Sequence, residues 1–222
     1  MLTVHNKPAS IVVIIHGIWM PAVVMWPLAI QLKRHGQSPV LFGYPTLAST
    51  LTDSALRLNR FIETLDAEHV HLVAHSLGGL LVRAMFHLYP DQPPGRIVML
   101  GTPADGSVVA ERLRCWGPLG RSLVGRSLGQ YLDEGQSWSM ISRDLGVIAG
   151  SRAFGMGSLA GGLSGPGDGT VLIKETRCRD MTDHIVLPLT HSALVAAPSV
   201  ARQVVHFLEY GKFYVSTAGQ PL

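Results

Sequence analysis

His71-Leu72-Val73-Ala74-His75-Ser76-Leu77-Gly78-Gly79-Leu80 is an apolar run that stops at a serine and gives way at once to a helical pattern. It predicts a strand, a sharp turn and a helix, with Ser76 at the apex and its hydroxyl pushed out above the end of a sheet. A turn that tight strains the serine backbone. Strand and helix can then approach each other only if the residues two before and two after are small. Ala74 and Gly78 meet that demand.

Outward from this turn, the chain alternates strands and helices. Ser10 to Ile15 is a continuous β-branched run, the pattern of a parallel strand buried on both faces, and it ends at His16-Gly17-Ile18-Trp19. Met20 to Trp26 reads as an unusually apolar loop. Pro27 then suits a first helical turn, and Gly36 stops that helix. Pro39 to Phe42 is a short strand. Thr50 with Asp53 makes a capping-box start for a stripe of Leu51, Ala55, Leu58, Ile62 and Leu65. Val70 to Ala74 is the third strand. The helix after Ser76 runs to Pro90, and Arg96 to Leu100 is a fourth strand ending in Gly101-Thr102-Pro103. Such alternation predicts a mostly parallel α/β sheet covered by helices on both faces, with ligands bound beyond the carboxyl ends of the strands.

The second half is less regular. From Ala104 to about Arg143 the pattern weakens, and Gly-Arg-Ser-Leu occurs at 120 to 123 and again at 125 to 128, too few copies for a repeat architecture. The segment 104–143 is expected to form short helices over the mouth of the site, a cap or partial lid; one ordinary crossover helix with loops is the plainer alternative. Gly146 to Gly150 reads as a fifth strand, Gly150 to Gly169 as a glycine-rich loop, and Ile185 to Leu189 as a last strand pushed to an edge by Pro188. Pro198 to Tyr210 closes the chain as a helix with Gly211 as its stop.

At 222 residues the chain fits one domain, 1–222, able to bury roughly 70 to 75% of its unfolded surface. Hydrophobic residues make up 47% and charged ones 15%, which excludes a disordered chain. The net charge of +3 is scattered apart from Arg112, Arg114, Arg121 and Arg126, and basic and aromatic residues do not interleave as in nucleic-acid binders. Cys115 and Cys178 lack metal-ligand spacing and read as free thiols or one bridge. The amino terminus has no signal-peptide pattern and no apolar run reaches the roughly 18 residues of a membrane span, so the cytoplasm is expected, although a mature secreted form would look the same.

A serine hydroxyl becomes a useful nucleophile only when a base takes its proton and a carboxylate fixes that base's tautomer. Downstream of Ser76 stand His87, His184, His191 and His206. His87 and His206 fall in helical patterns, and His184 precedes the last strand, at the opposite end of the sheet. His191 follows that strand and so reaches the right edge. For the acid, Asp168 sits in Gly167-Asp168-Gly169-Thr170-Val171, between the fifth and last strands, where the alternative is a plain Asp-Gly turn. Asp105 is the leading competitor, whereas Asp144, Asp180 and Asp183 look like ordinary polar positions. The backbone N–H groups of Ile18 and Leu77 are the natural oxyanion donors. His16 and His75 lack a third ligand at metal spacing and read as hydrogen-bonding supports for their loops, so no metal is expected.

Together these residues resemble the α/β-hydrolase family, and within it the bacterial lipases and esterases with an Ala-His-Ser-x-Gly-Gly elbow. The His-Gly-Ile-Trp loop, Leu100-Gly101-Thr102-Pro103, Gly167-Asp168-Gly169 and His191 recur in the family's order, so the resemblance covers residues 11 to about 210. It implies Ser76 as nucleophile, His191 as general acid and base, and Asp168 as its orienter, with Ile18 and Leu77 as oxyanion donors. Ala74 stands where glycine is commoner in the family. The His-Gly loop arrives at residue 16, which implies a reduced sheet of about six strands, without the family's first two. The expected activity is hydrolysis of a small-molecule carboxylic ester, lipid-like or otherwise hydrophobic, through an acyl-enzyme, with no cofactor. Trp19, Met20, Trp26 and Thr102, with the segment Leu113 to Leu132, are candidate pocket residues or else core packing under the cap. The alternatives are a thioesterase or acyltransferase on the same fold, or a catalytically silent relative binding lipid or protein. Transient contact with a lipid surface through the cap is also an expectation.

Overall fold

Six parallel strands form one sheet in the order β2-β1-β3-β4-β5-β6, with β1 Ser10–Ile15, β2 Pro39–Phe42, β3 His69–His75, β4 Ile97–Leu100, β5 Leu145–Gly150 and β6 Asp183–Leu187. This computed structural model describes residues 10–155 and 163–215. The alternation read from the sequence is therefore present, with six strands as expected. Because β2 lies on one side of β1 and β3 on the other, the connection order reverses between β1 and β3. The loops that follow these two strands diverge there and leave a crevice. His16 to Trp19 and Ser76 are the residues at its rim.

Side chains alternate across the sheet. Val12 and Ile14 of β1 pack with Leu28 and Leu32 of α1 Trp26–Arg34 and with Val204 and Phe207 of α6 Pro198–Tyr210. Val13 and Ile15 pack instead with Leu51 and Leu58 of α2 Leu51–Glu63 and with Leu80 and Leu81 of α3 Leu77–Leu88. Strands buried on both faces are why these runs are continuously apolar. The predicted capping box of α2 is formed: Thr50 Oγ1 accepts from the Asp53 N–H at 3.0 Å, and the Thr50 N–H donates to Asp53 Oδ2 at 3.3 Å. Gly211 ends α6 at φ 72°, a left-handed stop that glycine adopts without strain.

Four readings are adjusted. The apolar loop before α1 contains a short 3-10 turn, Ala22–Met25, and Trp26 already belongs to α1. The last strand starts and ends two residues earlier than predicted, at Leu187, just before Pro188 removes a ladder donor. The weakly patterned region holds two helices, α4 Val108–Arg114 and α5 Gly117–Glu134, the second broken at Gly125, where φ is 68° and ψ −179°. The two Gly-Arg-Ser-Leu copies thus differ in use: Gly120 is buried against the Leu113 carbonyl, while Gly125 makes the break against Leu47. Asp180 is no ordinary polar position. Its carboxylate, 3% exposed, pairs at 3.0 Å with Arg83 of α3 and accepts the Ile141 N–H at 2.7 Å.

Of the glycine-rich loop predicted over Gly150 to Gly169, residues 156–162 lie outside the described residues, as does the amino terminus before Ser10. Cys115 and Cys178 are free thiols, and burial pushes Cys178 up to about 12, so it stays protonated. No helix among the described residues is long and apolar enough to cross a membrane.

Candidate active site

The β3–α3 turn is as tight as its sequence requires. Ser76 has φ 51° and ψ −121°, a conformation L-residues rarely adopt, and a Cβ on Gly78 would sit 2.7 Å from the His16 carbonyl oxygen. Gly79 is held just as closely, a constraint the sequence reading missed: a Cβ there would overlap the Thr102 side chain. Thr102 is fully buried and its hydroxyl donates to the Ser76 carbonyl at 3.0 Å, so it supports the turn from below. Gly79→Ala is expected to displace Thr102 and cost about 2–3 kcal/mol, lowering Tm by roughly 4–12 °C in thermal denaturation.

Two strands further along the sheet, the carboxyl ends of β5 and β6 carry the other partners. Asp168 is 1% exposed, and its Oδ1 accepts the N–H groups of Thr170 at 2.9 Å and Val171 at 2.8 Å. Its Oδ2 lies 2.7 Å from His191 Nδ1. An ionised carboxylate only accepts, so the proton sits on Nδ1 and Nε2 is left as an acceptor. The backbone closes the same link, with the His191 N–H donating to the Asp168 carbonyl at 3.0 Å. Asp168, rather than Asp105, is thus the carboxylate that lies against His191. Asp105 is exposed, and its backbone N–H donates to the Glu175 carbonyl. His184 lies in β6 opposite Val147, towards the start of the strand, where its ring meets the Thr176 hydroxyl.

His75 joins the two halves of the site. Its Nε2–H donates to the His191 carbonyl at 3.2 Å and the two rings lie 4.7 Å apart, a contact over 116 residues of sequence. His16 plays the corresponding part at the β1 loop: Nε2 accepts the Tyr44 N–H at 3.2 Å, and Nδ1 donates to the Gly17 carbonyl at 2.9 Å. No group of three or more potential metal ligands occurs among the described residues.

Ser76 and His191 border one cavity of about 460 Å³ with Ile18, Trp19, Met20 and Phe154. Trp19 has φ 59°, and its indole N–H donates to the Leu123 carbonyl at 2.9 Å, tying the β1 loop to α5. A second, smaller cavity of about 40 Å³ adjoins it at Ser76 and includes Leu77. Leu77 is the first residue of α3, so its N–H has no intrahelical acceptor. Of the pocket candidates, Trp19 and Met20 line the larger cavity. Trp26 and Thr102 line neither: Trp26 is 56% exposed at the start of α1, and Thr102 is consumed by the turn. Phe154, Thr170 and Ser192 were not anticipated. The signal for Thr170 was its place two residues after Asp168 in a glycine-bounded turn.

Burial sets the protonation of the surrounding histidines. Desolvation holds His75 well below its usual range and lowers His16 and His184, and desolvation with the nearby Arg96 charge takes His71 to about 4. These groups are neutral in the fold, but protonate near pH 6.5 in the unfolded chain. The unfolded state therefore binds more protons below pH 6.5, so their contribution is complete above that pH and is lost as pH falls, down to about 4 for His71. Each adds at most about 1.4 kcal/mol per pH unit to the slope inside its window, and less where the ring is partly solvated. Tm is expected to be flat from pH 8 to 7 and to fall steadily from 6.5 to 4; a flat profile across that acid window would contradict the neutral assignments.

Residues 12–209 match the model of the Alpha/beta hydrolase family. No curated protein matches the sequence. Among solved structures, the fold is similar to the mature lipase BlEst2 of Bacillus licheniformis, with 18% identity, 92% of each chain covered and a TM-score of 0.70. A thermophilic esterase from Thermogutta terrifontis shares 14% identity over 92% of this chain and 91% of that one, at a TM-score of 0.67. The NocB thioesterase domain from the nocardicin cluster shares 13% over 91% and 95%, at 0.56. At these identities the likeness concerns the fold. The sheet order, the strained serine at the β3–α3 turn and a family model spanning residues 12–209 lead to one assignment: the chain belongs to the α/β-hydrolase family.

Proposed function

We propose that this chain hydrolyses carboxylic esters through an acyl-enzyme on Ser76. The observation that carries the reading is the strained Ser76 in one cavity with His191, whose Nδ1 lies 2.7 Å from the buried Asp168 carboxylate. His191 Nε2, left as the acceptor, takes the serine proton as Oγ attacks the ester carbonyl. The N–H groups of Ile18 and Leu77 receive the oxyanion, each such donor typically contributing about 100 to 1,000-fold in rate. His191 then returns the proton to the departing alcohol, and a water deprotonated by the same nitrogen releases the acid. Asp168 holds the tautomer and stabilises the cation. In this reading α4 and α5 form the small cap, and the substrate is a hydrophobic small-molecule ester.

The test is covalent. A fluorophosphonate probe is expected to add once, at Ser76, with peptide mapping locating the adduct. A folded protein with no adduct at that serine sinks the proposal. Matched oxygen and sulfur esters of one acid are then compared by kcat/KM, and a preference of more than tenfold for the sulfur ester would assign the chain as a thioesterase instead.

A further inference from the structure

The two cavities that meet at Ser76 are unequal, and His191 borders only one of them. Ile18, Trp19, Ser76 and Thr170 line both. The larger, about 460 Å³, contains His191 and Ser192 and falls in the size range of ordinary ligand pockets, roughly 300–1,000 Å³. The smaller, about 40 Å³, lies an order of magnitude below that range, and α3, α4 and α5 wall it with Leu77, Leu80, Val109, Ala110, Leu113 and Leu128. These six are all buried, Leu80 completely and Leu113 to 2% exposure, so the wall is backed by core.

Proton transfer decides which part of an ester enters which cavity. The group that protonates the leaving oxygen must lie within hydrogen-bond reach of it. This step rests on the proposed roles of Ser76 and His191. The alcohol then occupies the chamber that His191 borders, and the acyl chain, on the far side of the carbonyl carbon, is left the small apolar recess. We infer that the chain is selective for esters of short acids, with acyl length limited by Ala110, Leu113 and Leu128, and tolerant of larger alcohols. At about 10–15 Å³ of such space for each water-sized group, a recess of about 40 Å³ takes a tail of about two to four carbons.

Two substrate series test this. With p-nitrophenol held constant and the acid lengthened from acetate to decanoate, kcat/KM is expected to peak at about two to four carbons and fall at least about tenfold by eight. With acetate held constant and the alcohol enlarged among alkanols of matched acidity, from ethyl to 2-naphthylethyl, kcat/KM is expected to stay within about tenfold. Leu113→Ala and Leu128→Ala are each expected to move the acyl optimum up by about two carbons or more. Because these residues are buried, fluorophosphonate labelling confirms that each variant is folded and competent. A wild-type profile that rises through decanoate overturns the inference, as do labelled variants that keep the wild-type optimum; in both cases Ser76 labelling leaves the hydrolase reading standing. No labelling and no turnover of any ester by the wild type overturns both.

Discussion

Ser76→Ala is expected to lower kcat on a soluble ester by about six orders of magnitude and to abolish fluorophosphonate labelling. The residual rate, about 10³ to 10⁴ over water, is what oxyanion donors and binding supply without a nucleophile. The fold should not change. Ser76 is 8% exposed, and alanine at φ 51° bears the same backbone strain as serine. Ser76→Gly removes the nucleophile and the strain together, so it is expected to be inactive yet more stable by about 1–3 kcal/mol. A Tm rise in the glycine variant and none in the alanine variant would show that the turn stores strain for the sake of the hydroxyl's position. Turnover within tenfold of wild type in either variant would move the nucleophile elsewhere.

Asp168→Asn is the second large effect, about four orders of magnitude in kcat. Here the surroundings make the outcome specific. The N–H groups of Thr170 and Val171 both donate to Asp168 Oδ1, so an asparagine would turn its carbonyl oxygen to them and its NH₂ to His191 Nδ1. Nδ1 must then accept, the ring proton moves to Nε2, and the nitrogen proposed to take the serine proton can no longer do so. Size and hydrogen-bond number are conserved, so Tm should stay close to wild type while kcat collapses. Near-normal turnover would mean that the acid lies elsewhere, with Asp105 the next to test.

Much of this was legible locally. The apolar runs of β1, β3 and β4, the Thr50–Asp53 capping box and the Gly211 stop depend on neighbours only a few residues away, and they stand as read. His191 was legible by elimination, because strand direction alone decides which end of the sheet a following residue reaches. The choice of Asp168 over Asp105 rested on its glycine-flanked place between the fifth and last strands. The hydrogen bond that settles their geometry spans 23 residues.

What did not show were contacts made across the fold. Thr102 looked like a pocket residue and is a strut under Ser76, 26 positions away. Asp180 looked superficial and is buried against Arg83, 97 positions away. Trp26 looked like a pocket wall because it closes the apolar loop after β1, yet it opens helix α1 and is exposed.

By itself, then, the sequence determined the order of strands and helices, the strained turn at Ser76 and the sheet edge where chemistry gathers, since periodicity, caps and small residues act over one or two turns of chain. Only the tertiary structure decided that Asp168 faces His191, that His75 ties the β3 turn to the β6 loop, and that α4 and α5 leave a small recess beside a large one at Ser76. Those relations are set by how distant segments pack, and side chains that meet across 23 to 116 residues leave no local pattern to read.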